Sequence, residues 1–222
     1  MKILGLLGGV ASGKSLVARQ LAELGAVVLD ADRAGHEALR LPHVEEAARR
    51  RWGDSVFGPD GHIERSRLAR VVFAPPPDGP KERRYLEELT HPEIGRRLLA
   101  QAGALKTALP ASSSTIGDEK GELAQREARI AVPPLAVLDA ALLLEAGWDR
   151  LCDYFAFVDV PEEVRLARAL QRGWTERDFA AREAAQESLD LKRARADLII
   201  DNSGSAEHTQ SQVQRLWQFL VG

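Results

Sequence analysis

The chain has 222 residues, 45% of them apolar, and a formal net charge of −3. That length holds one α/β domain with a sub-domain, or at most two small domains, and the weakly acidic balance excludes a dedicated nucleic-acid binder. The single cysteine, Cys152, rules out an internal disulfide framework, and no apolar run approaches the length of a membrane span.

Ile3 to Leu7 is an apolar run of strand length. With two residues before it there is no room for a signal peptide, so a soluble cytoplasmic protein is expected. Gly8 to Ser15 then fits G-x-x-x-x-G-K-[ST], and Ser15 leads into a stretch where Val17, Leu21 and Leu24 recur at helical spacing. The motif therefore lies between a buried strand and a helix start, where its mechanism needs it. Gly8, Gly9 and Gly13 free the backbone so that successive N–H groups can turn inward and form an anion nest. Lys14 is placed to reach the β/γ-phosphates of a nucleotide and the Ser15 hydroxyl to hold Mg²⁺. A glycine-rich turn that merely caps a helix is the alternative.

Ala26 to Leu29 reads as a second buried strand ending in Asp30 and Asp32. Carboxylates at the C-terminal edge of a parallel strand face the crevice where α/β sheets bind ligands. Such a group can take a proton from an attacking hydroxyl or hold Mg²⁺ through water; it can also simply cap the next helix. Residues 33 to 101 are helical by pattern, with a turn at Gly58 to His62 and two helices meeting at Thr90-His91-Pro92, where Pro92 starts the second and Thr90 or His91 caps it. His91 is either a ligand contact or a structural residue. Ala74 to Pro80 reads as a rigid connector. Residues 103 to 130 are polar and aperiodic, which predicts an exposed insertion with a short helix near Glu122 to Arg129.

Leu135 to Leu138 reads as the central strand, ended by Asp139, which either orients Mg²⁺ or caps the next helical stretch. Tyr154 to Val160 is a further strand, and Pro161 is expected at the first position of the next helix. Arg165, Arg168, Arg172, Arg177 and Arg182, with Gln186, lie on two helices joined by a glycine-containing turn. They form either a lid over phosphates or a solvated charged face. Ala196 to Ile200 is a last strand, and Asn202 to Gly204 either approaches a purine ring or makes a plain turn. Alternation of strand and helix predicts a P-loop NTPase-type α/β fold, a parallel sheet covered by helices on both faces.

In fixed order the chain carries GLLGGVASGKS, LDAD, THPEI, LDAALLLEAGWD, ARALQRG, AREAAQESLDLKRARAD and IIDNSG. Together these resemble the dephospho-coenzyme A kinase family over nearly the whole chain. The resemblance implies a single kinase domain with its core over residues 1–32, 131–161 and 194–222, a helical substrate-binding region over 33–102 and a mobile lid over 162–193. It implies ATP bound by Gly8, Gly9, Val10, Ala11, Ser12, Gly13, Lys14, Ser15 and Leu16, with Arg168, Arg172 and Asn202, the last near the adenine. Dephospho-coenzyme A would meet Asp30, Asp32, His91, Pro92, Leu142 and Glu145, with Asp32 the proposed base and Lys14 its catalytic partner. Mg²⁺ would lie by Ser15 and Asp139. The expected partners are these two substrates, with no nucleic acid or membrane, and the protein is expected to be a monomer or weak homo-oligomer. Departures from the family pattern are Leu7 for its usual Thr, Ala141 and Leu144 for its Pro and Phe, and the longer insertion.

The rivals are another small-molecule P-loop kinase, a GTPase-type switch and a non-catalytic binding module. D-x-x-G strings occur at Asp32–Gly35, Asp118–Gly121 and Asp201–Gly204, but no N-K-x-D guanine motif exists. Intact Lys14, Ser15 and Asp32 speak against loss of catalysis.

Overall fold

The computed structural model describes residues 1–107 and 133–222. Strand β1, Lys2–Gly8, is buried on both faces, as a continuous apolar run requires. It lies at the centre of a five-stranded sheet with β2 (Val27–Asp30), β3 (Leu135–Asp139), β4 (Tyr154–Asp159) and β5 (Leu198–Asp201). The order is β2-β3-β1-β4-β5 and the four pairings are parallel. All five C-terminal ends therefore face one way, and the loops that leave them converge on one crevice.

Side chains alternate across β1. Leu4 and Leu6 face α1 (Lys14–Glu23) and the closing helix (Ala206–Val221), where Val17, Leu21, Val213 and Leu216 complete one core layer. Ile3 and Leu7 point to the other face, toward Ala31, Ala34 and Ala38 of α2 (Ala31–Ala38). A separate cluster joins α3 (Pro42–Trp52) and α4 (Arg65–Val72) through Val44, Phe57 and Leu68. Among the described residues no helix is long and apolar enough to cross a membrane.

The expected break at Pro92 does not occur. A single helix, α5, runs from Asp78 to Thr107 with Pro92 inside it. Proline cannot donate to the carbonyl four residues earlier, that of Glu88, so packing carries the helix across the gap. Ile94, Leu98 and Ala102 are buried on the sheet side, and Leu86 and Leu89 pack on the α3–α4 cluster. Thr90 does not cap a second helix; its hydroxyl donates to the Leu86 carbonyl at 2.8 Å. The helix begins inside the expected connector and passes the expected boundary at 102. The rest of the insertion from residue 108, with its expected helix at Glu122 to Arg129, lies outside the described residues.

Beyond β4 come α6 (Glu162–Gln171), α7 (Glu176–Glu183) and α8 (Leu189–Ala194); the closing helix is α9. Pro161 takes the N-cap of α6, one residue earlier than expected. A reciprocal capping box between Thr175 and Asp178 starts α7.

Candidate active site

The glycine-rich loop leaves β1 with no room for side chains at its turns. Gly8 has φ +149°, and a Cβ there would sit 2.7 Å from Ser12 Oγ. Gly13 has φ +91°, and its Cβ would fall 2.3 Å from Asn202 Nδ2. Between them Ala11 holds φ +57°, a conformation that L residues rarely adopt. The loop ends at the start of α1, which no side chain caps. Its first N–H groups and the helix dipole are thus left for an anion.

Lys14 folds back over the loop and donates to the Gly8 and Gly9 carbonyls, each at 3.1 Å. Burial pushes its ammonium down to about 8; Lys192 also lowers it, while Asp139 and Asp32 oppose the shift. Asp139 ends β3; burial raises its carboxyl above the usual range, although the neighbouring Ser15 hydroxyl and Lys14 act to lower it. Asp30 is the N-cap of α2, accepting from the Arg33 N–H at 2.9 Å. Asp32 is in the first turn of that helix.

These elements bound an open cleft of about 1010 Å³. Val10 to Leu16, Asp32, His91, Leu142, Asp139 and Arg172 line it. Gly8, Gly9, Asp30, Pro92, Glu145, Arg168 and Asn202 lie outside that lining. Two of these hold the loop from behind. Asn202 Nδ2 donates to the Ser12 carbonyl at 2.7 Å, and Arg168 Nη2 donates to the Asn202 carbonyl at 2.8 Å. Asn202 is buried, its Oδ1 accepting from Thr209. Arg165 is neither a lid arginine nor part of a solvated face: it is 2% exposed, because its guanidinium finds backbone and carboxylate partners indoors.

On the opposite wall, the His91 ring meets Trp148 edge-on at 5.4 Å. Burial lowers the His91 pKa, favouring the neutral ring. Glu145 sits behind this wall. Its Oε1 accepts from Lys192 Nζ at 3.0 Å and from the Glu187 N–H at 2.7 Å. Lys192 also donates to Gln186 Oε1 at 2.9 Å. At the lips, the Arg182 guanidinium lies over both the Trp174 ring, at 4.2 Å, and the Phe73 ring of the α4 side, at 4.8 Å. Sequence reasoning gave no role to Lys192 or Glu183. One signal was available for the first: a lysine retained in a chain whose cations are mostly arginine.

Among the described residues no group of three His, Cys, Asp or Glu side chains could hold a metal by itself. A divalent cation that takes most of its oxygens from phosphate and water needs fewer protein ligands. The Ser15 hydroxyl beside the Asp139 carboxylate supplies hard oxygen donors only, the carboxylate half-buried with its pKa raised by that burial. That donor set fits Mg²⁺.

A family model described as "Dephospho-CoA kinase" matches residues 2–113 and 119–208. The chain belongs to the dephospho-CoA kinase family. It is thereby a member of a family of ATP-dependent phosphotransferases on a P-loop kinase fold. A protein of Symbiobacterium thermophilum named dephospho-CoA kinase is 40% identical, the match covering 100% of this chain and 82% of that protein. One of Aquifex aeolicus with the same name is 34% identical, covering 100% and 98%. Among solved structures, TT1252 of Thermus thermophilus superposes with a TM-score of 0.70 at 32% identity, covering 100% of this chain and 98% of that one. The dephospho-CoA kinase of Campylobacter jejuni, at TM-score 0.57 and 19% identity over 99% and 97% of the two chains, shares the fold.

Proposed function

We propose that this protein transfers the γ-phosphoryl group of ATP to the ribose 3′-hydroxyl of dephospho-coenzyme A, releasing ADP and coenzyme A. The observation that carries the reading is the meeting of Lys14 and Asp32 on one cleft, close enough for the Asp32 carboxylate to favour the charged form of Lys14. The loop amides and the α1 N-terminus bind the phosphates, and Lys14 leaves the Gly8 and Gly9 carbonyls to face the transferring group. Asp32 accepts the proton of the attacking hydroxyl as its oxygen bonds to the γ-phosphorus, while the β,γ-bridging bond breaks and its electrons leave with ADP. Ser15 and Asp139 would hold Mg²⁺, which when bound neutralises charge on the β- and γ-phosphates. The acceptor lies along the wall formed by His91, Leu142 and Trp148. Arg172 and Arg182, near the lips, offset charge and exclude water.

The test is ADP release measured with ATP and Mg²⁺, in the presence and absence of dephospho-coenzyme A. Release that depends on that acceptor is expected. Equal release with nucleoside monophosphates or simple alcohols, and none with dephospho-coenzyme A, would transfer the site to another small-molecule kinase activity.

A further inference from the structure

Val10 sits at the tip of the phosphate loop, and both polar groups of the residue are held from the α6–α7 side. Its N–H donates to Glu183 Oε1 at 3.2 Å, and its carbonyl accepts from Arg165 Nη1 at 3.4 Å. The same Nη1 pairs with the same Glu183 oxygen, so the three groups close a ring. Arg165 Nε is fixed in turn by the Val160 carbonyl at 3.1 Å, and its guanidinium lies over the Phe179 ring at 5.5 Å. The Val10 side chain is buried against Ala169 of α6 and Phe179 of α7. Two neighbours lie against the ring. Ala11 takes a left-handed φ that a free loop would avoid. At Gly9 a Cβ would sit 2.6 Å from Arg165 Nη1, so the arginine occupies the space a side chain would need. Neither Arg165 nor Glu183 lines the cleft.

We propose that Arg165 and Glu183 are positioning residues for nucleotide binding: they clamp Val10 so that the remaining loop amides point at the phosphates, and they make the loop tip and the base of the lid one rigid unit. This rests on reading the loop as the phosphate cradle. It separates the pair from a salt bridge that merely stabilises the fold, because the ring passes through the backbone of the loop itself. It also limits lid motion to side-chain movement and to the turn beyond the ring at Arg172. The whole lid cannot swing while Glu183 holds Val10.

The test replaces both partners at once. A buried ion pair exchanged for apolar residues of similar size is often tolerated, whereas removing one partner strands the other. The variant R165M/E183L is therefore expected to keep its melting temperature and its KM for dephospho-coenzyme A. Its affinity for ADP, measured by calorimetry, is expected to fall about tenfold, the scale of one lost hydrogen bond to a charged group. ADP binding equal to wild type in the folded variant would overturn the proposal. A second measurement needs no variant: amide exchange at Val10 in the wild-type protein. The clamp requires a protected amide with and without ADP, and exchange at the rate of an open loop would sink it. Failure of wild-type protein to bind ADP would overturn the cradle reading instead, and would leave protection at Val10 unchanged.

Discussion

Asp30 and Asp139 stand opposite each other in the β2–β3 ladder, the last residues of two adjacent parallel strands. Their surroundings divide the work. Asp30 uses its carboxylate on the α2 cap, and Asp139 lies beside the Ser15 hydroxyl and the Lys14 ammonium. No hydrogen bond joins the Asp32 carboxylate to any described residue. Of the three, Asp32 is the one free to meet a substrate hydroxyl.

Asp32→Asn should therefore lower kcat by roughly 10²–10⁴, the usual contribution of a general base, with ADP affinity unchanged. Asp30→Ala should cost about 1 kcal/mol of stability through the lost cap and leave kcat near wild type. Steady-state kinetics with a urea melt on each variant checks the pair. The opposite pattern would exchange the roles of the two residues.

Lys14 gives a pH prediction with two signs. Its folded pKa is lowered to about 8 from an ordinary 10.5, chiefly by burial. Between those values the unfolded chain holds the proton and the folded chain does not, so this group's contribution to stability rises with pH across that window. On the proposed reading nucleotide affinity runs the other way, because the cation would face the phosphates and is lost as pH rises through about 8. Calorimetric ADP titrations and thermal melts between pH 7 and 10 measure both trends. Lys14→Met should bind ADP weakly with no such pH step.

The sheet and its phosphate loop were legible because each is written locally. Ile3 to Leu7 is continuously apolar, and the spacing of Gly8, Gly13, Lys14 and Ser15 is a motif in itself. Helix α5 was not, since Pro92 is a local stop signal overridden by the burial of Ile94 and Leu98 across the chain. The buried cations were equally hidden. Arg165 sits in sequence among Glu163, Glu176 and Glu183, a pattern that reads as a solvated face or a lid, and Lys192 lies between Asp190 and Arg193 with no periodicity to mark it as buried. Only the topology decides which members of such a run turn inward. Asn202 belongs to the same class: its place in a turn was readable, its attachment to the Ser12 carbonyl was not.

Lys192→Met tests one of those hidden cations. Removing it leaves the Glu145 carboxylate buried beside the cleft with one partner fewer. Loss of one member of a buried pair costs about 3–5 kcal/mol, readable in chemical denaturation. The double variant K192M/E145L should recover a large part of that loss. Lys192 also lowers the Lys14 pKa, so the pH at which ADP affinity falls should move up in K192M. A stable single variant with an unmoved pH profile would show that the pair is incidental to the loop.

Pro92→Ala sets stability against function within α5. The new N–H can donate to the Glu88 carbonyl, which proline leaves without its helical partner. Interior proline costs about 3 kcal/mol in an unconstrained helix, and this helix already relaxes around it, so a gain of about 1–3 kcal/mol is expected. The same substitution alters the turn that holds His91 against Trp148 on the acceptor wall. The KM for dephospho-coenzyme A should then rise while ADP affinity stays fixed, because the phosphate loop lies on the opposite side of the cleft. A variant that is less stable than wild type would mean that the proline ring contributes more by packing than its missing donor costs.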